Sequence, residues 1–284
     1  MTAARWFDLG RTDPLTFHST YAGIAAARRT GARPAVVWGR VGAHVCLGQS
    51  QGMCELSALP DVPVLRRPLG GGAVWVDESQ LSYALVAPIE QAPPRPADWY
   101  EWVLRPAIET FRAFGLPVER RAEDLWLAGR KIAGSGAATI GRSAVIASSF
   151  LLRFPRARFA RAVAAGSAGF RAKLREALDV AMTDWAEHAP LPDERRVEKA
   201  FRKALGDRLG WTLDAGQIEA AEAAEIRDWR AELCEPIETG SRRVPEGIKL
   251  NAELTLATLR GAPVLLRTDA VSCAARSRLA GMPG

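Results

Sequence analysis

Arg66-Arg67-Pro68-Leu69-Gly70-Gly71-Gly72-Ala73-Val74 constrains the fold more than any other stretch of the chain. Three successive glycines would carry a large entropy cost inside a helix or strand, so the segment is a loop. It lies between short apolar runs at 62–65 and 73–75 that read as strands, which separates it from the phosphate loops that open a helix. Without Cβ atoms a ligand can reach the main chain, where N–H groups form an anion-binding concavity and a guanidinium adds charge-assisted hydrogen bonds. The same residues also make a tight or bulged turn with solvated arginines, and taken alone they leave both readings open.

A second element narrows the choice. Asp124-Leu125-Trp126-Leu127-Ala128-Gly129-Arg130-Lys131-Ile132-Ala133-Gly134-Ser135-Gly136 reads as a hairpin turning at Ala128-Gly129, with Lys131 in the returning strand. A lone strand lysine is either solvated or a fixed ammonium that polarises an acyl or phosphoryl oxygen. Ala133, Gly134, Ser135 and Gly136 stand where a purely structural strand would carry β-branched or aromatic residues. That leaves space for a ligand and favours the second reading.

In order along the chain, these segments resemble the lipoate-protein ligase A family of the biotin/lipoate ligase and octanoyltransferase superfamily. Members share an Arg-Arg-x-x-Gly-Gly-Gly-Ala-Val loop, then an Asp and a Tyr-containing strand, matched by Arg66 to Val74, Asp77 and Leu81-Ser82-Tyr83-Ala84. An Asn-Asp-apolar strand and Gly-Arg-Lys-Ile-Ser/Ala-Gly-Ser follow, matched by Glu123-Asp124-Leu125 and by Gly129 to Ser135. Val45-Cys46-Leu47-Gly48-Gln49-Ser50-Gln51 looks like the upstream apolar-Gly-x-x-Gln segment, and Ala181-Met182-Thr183-Asp184-Trp185 is similar to a downstream Val-Thr-Asn-Leu. The resemblance spans roughly residues 20–235. Three departures stand out: Ala147-Ser148-Ser149-Phe150 replaces a His-His-Gly-Thr stretch, Gln80 replaces an asparagine after the loop, and Glu123 replaces the asparagine before Asp124.

The resemblance implies an α+β fold with a class II synthetase-like biotin/lipoate ligase catalytic domain, a mixed sheet flanked by helices, at 1–234. A shortened C-terminal accessory segment, α/β in character, would follow at 235–284. It implies attachment of a lipoyl or octanoyl group to a lysine of an acidic lipoyl carrier domain, of the dehydrogenase E2 or glycine-cleavage H-like kind, through an acyl-adenylate made from ATP and Mg. Lys131 would neutralise charge on the reacting carbonyl and Asp124 would orient it. Arg66, Arg67, Gly70, Gly71, Gly72, Ala73, Asp77, Gln80, Tyr83, Gly134 and Ser135 would bind the acyl group and nucleotide. Val64, Val74, Tyr83 and Ala133 would line a tunnel for an eight-carbon chain. The missing histidine and short C-terminus point to one alternative, an ATP-independent transferase with a thioester donor; a non-catalytic acyl- or carrier-binding member is the other, against which the intact Lys131 and glycine loop stand. The biotin branch carries a Gly-Arg-Gly-Arg loop that this chain lacks.

The rest of the sequence bounds this reading. At 284 residues the chain holds one large domain and a small appendage. Its apolar stretches are broken well short of the roughly 20 residues a membrane span needs, and Met1 to Trp6 has no apolar signal core. Four cysteines (Cys46, Cys54, Cys234, Cys273) are too scattered for a disulfide framework, which suits a reducing cytoplasm. None has metal spacing and only three histidines are present, so no structural zinc site is expected, and Cys46 reads as a buried strand thiol. The net charge of +6 gathers at 153–161 and 195–203. There the arginines interleave with apolar and acidic residues at helical spacing, without stacking aromatics, which argues against nucleic acid. A solvated basic face or a dock for an acidic carrier remains.

Periodicity predicts strands at 5–9, 34–38, 44–47, 62–65, 73–76, 81–88 and 144–154. It predicts helices from Asp13 to about Arg29, stopped by Thr30-Gly31, and at 99–114, 159–163, 170–178, 193–209 and 215–233. Cys234-Glu235-Pro236 and Gly240-Ser241-Arg242 read as a linker before a small meander at 247–250, 254–259 and 264–266.

Overall fold

The structure is a computed structural model that describes every residue except 30, 58–61, 164–166, 242–243, 245–246 and 269–284. The readings placed on Thr30, Arg242 and Cys273 lie outside the described residues.

The chain opens with β1 (Thr2–Thr12). Asp13 then caps α1 (Pro14–Ala26): its carboxylate accepts the Thr16 N–H, and Pro14 occupies the first turn, where its missing N–H costs nothing. Next come β2 (Ala35–Val41), β3 (His44–Leu47), β4 (Val64–Arg66), β5 (Val74–Val76) and β6 (Gln80–Pro88), then α2 (Pro96–Ala113). The middle of the chain is a run of strands: β7 (Glu119–Arg121), β8 (Asp124–Leu127), β9 (Arg130–Gly134), β10 (Gly136–Ile140) and β11 (Ser143–Leu151). It continues with α3 (Arg156–Ala162), α4 (Ala168–Ala181), α5 (Glu194–Leu209), β12 (Trp211–Ala215) and α6 (Ala220–Leu233). Three strands follow: β13 (Gly247–Lys249), β14 (Leu254–Leu259) and β15 (Ala262–Arg267).

Six strands form a mixed sheet in the order β10-β11-β6-β2-β1-β12. β6 is buried along its whole length because both faces of the sheet are covered. On one face Trp38, Tyr83 and Phe150 pack with Phe111 of α2 and Phe201 of α5, and the Tyr83 and Phe201 rings lie 4.7 Å apart. On the other, Val37, Ala84, Val86 and Val145 pack against Phe17, Tyr21 and Ile24 of α1. Two small sheets, β4-β3-β5 and β7-β8-β9, stand beside the main one, and the first carries the glycine loop between β4 and β5. The antiparallel sheet β13-β14-β15 joins β3 and β5 in a third core, where Val45, Leu47 and Trp75 meet Leu174 and Leu178 of α4 and Leu256 of β14. The C-terminal strands therefore share a core with the strands that hold the glycine loop.

Two predicted elements change. The helix expected from 215 starts at Ala220, and the residues before it form β12, which runs parallel to β1 with Trp211 buried at its start. The strand expected at 144–154 is β11, paired with a separate β10 that completes a hairpin. Both differences arise from edge pairings that lie outside any local periodicity.

Candidate active site

The hairpin of β8 and β9 turns on Ala128 (φ 49°) and Gly129 (φ 76°), the pair of positive φ angles a two-residue type I′ turn requires. Its pairing runs Asp124 to Gly134 and Leu125 to Ala133, then slips so that Trp126 faces Lys131. Ile132 is the extra residue of a β-bulge. The slip matters chemically. In a regular ladder Lys131 and Gly134 would point to opposite faces; the bulge turns Lys131 onto the face of Asp124, while Ile132 and Ala133 both enter the core. Lys131 Nζ then lies 2.8 Å from Asp124 Oδ1. The strand is pinned from behind, where the Lys131 carbonyl accepts the Thr183 N–H at 2.8 Å.

Asp124 is buried, and its second oxygen accepts the N–H of Ala252 at 3.0 Å. Its neighbour Glu123 pairs with Lys249 at 3.0 Å. Burial pushes the Glu123 carboxyl up, but the Lys249 hydrogen bond and the Lys131 charge outweigh it and hold the group below the usual carboxylate range. Two consecutive carboxylates thus hold two ammonium groups, one from the central hairpin and one from β13. Asn251 closes the arrangement: its side-chain amide donates to the Ala181 carbonyl, and its side-chain oxygen accepts the N–H groups of Glu253 and Leu254.

These groups border a cavity of about 210 Å³. The glycine loop forms one wall through Gly71, Gly72, Ala73 and Val74, and β9 with the start of β10 forms another through Lys131, Ala133, Gly134, Ser135 and Gly136. Leu151, Phe159, Leu178 and Met182 give it an apolar side, and Lys249 and Asn251 reach it from the C-terminal segment. Gly71 has φ +105°, a conformation that excludes a side chain, and a Cβ there would meet Arg67 Nη2 at 2.7 Å. The N–H groups of Gly71 and Gly72 have no hydrogen-bond acceptor among the described residues. Unpaired amides of this kind, side by side in a loop, have the geometry of an anion-binding concavity.

The expected site residues divide into three groups. Lys131, Asp124, Arg67, Gly71, Gly72, Ala73, Gln80, Gly134 and Ser135 line the cavity. Arg67 does so as a brace: Nη1 donates to the Cys46 carbonyl at 3.0 Å, and Nη2 to the Gly70 and Gly72 carbonyls at 2.8 and 3.0 Å. Gln80 is likewise fixed, donating to the Trp75 carbonyl and accepting from Ser149. Gly70 lies behind the loop, its N–H donating to the Ala137 carbonyl. Arg66, Asp77, Tyr83 and Val64 do not line the cavity. Arg66 is exposed beside a separate groove with Gln49 and Trp229, which the buried Arg67 also borders from the other side of the loop's entry. Asp77 accepts the Trp75 indole N–H at 2.7 Å and the Ser79 N–H, which makes it a turn residue. Tyr83 is buried in the aromatic core, one strand position past Ser82, which faces the cavity in its place.

At the position of the replaced histidine, Ser148 donates to the Gly134 carbonyl at 2.9 Å and Ser149 to Gln80. Lys249 and Asn251 were not anticipated; their only signal is a polar pair inside the alternating run Gly247 to Asn251. A buried cluster of His18, His44 and Cys46 beside Phe17 was also missed, since its members lie on α1 and β3. Burial depresses both imidazoles, His44 to about 4, and pushes the Cys46 thiol up.

A model of the lipoyl protein ligase A/B catalytic domain matches residues 29–206. The chain belongs to this family. Its fold is that of solved ligase structures of low sequence identity. A structure from a study of an archaeal lipoylation system, a bipartite lipoate protein ligase and its E2 lipoyl domain from Thermoplasma acidophilum, superposes with a TM-score of 0.74. The two are 17% identical over 82% of this chain and 93% of that one. Lipoate-protein ligase A bound with ATP gives 0.68 at 16% identity, over 81% and 95%. A Thermoplasma acidophilum protein with bound lipoic acid gives 0.67 at 15% identity, over 81% and 95%. No curated protein matches the chain at a significant level. Among the described residues no helix is long and apolar enough to cross a membrane.

Proposed function

We propose that this protein attaches a lipoyl or octanoyl group to a lysine of a lipoyl carrier domain, using ATP as a substrate. The observation that carries this reading is the Lys131–Asp124 pair set against the free Gly71 and Gly72 amides across a small, partly apolar cavity. A volume of about 210 Å³ falls below the roughly 300–1,000 Å³ of pockets for drug-sized ligands. It suits a slender acyl chain with its carboxylate at the polar wall.

Activation joins a carboxylate oxygen of the acid to the α-phosphorus of ATP and releases pyrophosphate. The carrier lysine, as free amine, then attacks the acyl carbonyl, the C–O bond to AMP breaks, and the amine loses a proton. Both steps concentrate negative charge on oxygens at one place. Lys131 is held there by Asp124, so its ammonium needs no reorganisation as that charge develops. The Gly71 and Gly72 amides take phosphate or carboxylate oxygens, and Leu151, Phe159 and Met182 keep water from the activated carbonyl. Magnesium enters with the triphosphate; no side chain is assigned to it. The chain needs no nucleophile of its own.

Part of the basic surface is already spent. Arg156 pairs with Asp179 and Glu187, and Arg202 and Lys203 pair with Glu198 and Asp207. Among the described residues of these clusters, Arg153, Arg158, Arg161, Arg195 and Lys199 make no ion pair and are cationic groups left to meet an acidic carrier. A second reading, transfer from an acyl thioester without ATP, is favoured by one feature: Lys249 and Asn251 already border the cavity and leave little room for a nucleotide.

Purified protein is incubated with a lipoyl carrier domain and either lipoate plus Mg-ATP or an octanoyl-carrier thioester. Intact mass should show an acyl increment in the first mixture, accompanied by pyrophosphate. An increment only in the second moves the protein to the transferase reading, and none in either refutes both. Lys131→Ala should abolish the increment.

A further inference from the structure

We propose that His18, His44 and Cys46 bind a soft d10 metal ion, Zn(II) or Cu(I), in the buried wall of the cavity. The proposal stands apart from the acyl-transfer reading. His44 and Cys46 are two residues apart on β3, which puts both on one face of the strand, and His18 reaches them from α1. His18 Nε2 lies 3.2 Å from His44 Nε2 and 3.8 Å from Cys46 Sγ, and all three ligating atoms fall within 4.8 Å of one another. Metal–nitrogen bonds of about 2.0–2.1 Å and a metal–sulfur bond of about 2.3 Å, at trigonal to tetrahedral angles, separate ligand atoms by about 3.3–3.8 Å. The two separations that involve His18, 3.2 and 3.8 Å, lie at the edges of that range, and a shift of a few tenths of an ångström in the side chains brings the set onto one ion.

The outer contacts fit as well. The Gly42 carbonyl can only accept, so the contact of 2.8 Å with His44 Nδ1 places the proton there and leaves Nε2 as a bare lone pair. His18 Nδ1 lies 2.9 Å from the Tyr21 hydroxyl, which fixes its ring with Nε2 toward the cluster. Both imidazoles thus have the second contact that orients a ligating histidine. Arg67 Nη1 lies 3.6 Å from Cys46 Sγ and donates toward the sulfur, which holds the side chain in place beside the two imidazoles. His18 and Cys46 border the cavity while His44 does not, so the free coordination position faces the cavity. Thiolate and imidazole together select zinc or cuprous ion over hard cations. The guanidinium charge beside the sulfur favours the lower-charged of the two.

The metal-free full chain is titrated anaerobically with Zn(II) against a chromophoric chelator and, separately, with Cu(I) against bicinchoninate. One ion per chain in either arm is expected, and the tighter arm names the ion. Cys46→Ser and His44→Ala should weaken binding by more than the roughly 10–100-fold that loss of an outer contact costs, the loss expected for Tyr21→Phe. Cobalt(II) added to the wild type should give a thiolate charge-transfer band, retained when Cys54, Cys234 and Cys273 are all changed to serine; this readout stands even if the ligand variants fail to fold. No stoichiometric ion in either arm, no cobalt band, or full affinity in Cys46→Ser would overturn the proposal.

Discussion

Gly134→Ala tests the site through a single methyl group. Gly134 has no positive φ, so its backbone accepts alanine, but the new Cβ would lie 2.8 Å from Lys131 Nζ and 2.9 Å from Cε. Non-bonded heavy atoms settle at about 3.5–4.0 Å, so the ammonium must retreat by roughly 0.7–1.2 Å. It is the free end of a flexible side chain and can do so, losing its 2.8 Å contact with Asp124 Oδ1. A hydrogen bond to a charged group is worth about 1.5–3 kcal/mol, and a displacement of about 1 Å in a catalytic group costs about 10²-fold in rate. The expected loss in kcat/KM is therefore about 10–100-fold. Stability should fall modestly: the alanine gains about 0.4–1 kcal/mol from the unfolded chain against a loss of about 1.5–3 kcal/mol with the pair, so Tm falls by about 1–10 °C. Carrier acylation followed by intact mass, with parallel melting curves, measures both. The double variant with Lys131→Ala should be no slower than Lys131→Ala alone, because the methyl group acts only through that side chain. Wild-type turnover in Gly134→Ala, or rate losses that simply add in the double variant, would refute the reasoning.

Gly71→Val should abolish the thermal shift caused by ligand, because it both forbids φ +105° and displaces the Arg67 brace; an undiminished shift would mean that the loop is only a turn. Glu222→Ala leaves the buried Arg5 guanidinium without its 2.9 Å partner and should cost about 3–5 kcal/mol in chemical denaturation, with turnover per folded molecule unchanged. The Glu123–Lys249 tie should depend on acid. A carboxyl held below its unfolded value adds stability that is present above that value and lost as pH falls through the lowered one. Hydrogen exchange at 247–259 should therefore quicken only in acid, and Lys249→Met should remove that dependence.

The parts of the site legible in the sequence are those that ask something of a single residue. Gly71 must hold a positive φ, Ala128-Gly129 must turn, and Lys131 among small neighbours must have a reason to be there. What was not legible depends on register and on distant pairing. One bulged residue, Ile132, decides which face Lys131 occupies, and a periodic reading has no way to place a slip of one. The same parity separates Ser82 from Tyr83, so a residue that matches the family pattern went to the core while its neighbour reached the cavity. Arg67 was expected to present its charge at the mouth of the loop; local composition cannot show that three backbone carbonyls already claim it. Lys249, Asn251 and His18 come from segments that reach the site only through tertiary packing.

The Ala252 amide that satisfies Asp124 lies 128 residues further along the chain. A ribosome adding about 5–20 residues per second takes roughly 6–25 s to cover that distance. Through that interval Asp124, Lys131 and the glycine loop have all been synthesised, while the groups that complete their surroundings have not. Newly made chains should therefore acquire activity in a late step, after the central sheet has formed and when residues 247–256 dock beside β3 and β5. A nascent chain stalled before residue 247 would carry the lysine and its carboxylate with one oxygen of Asp124 still facing solvent.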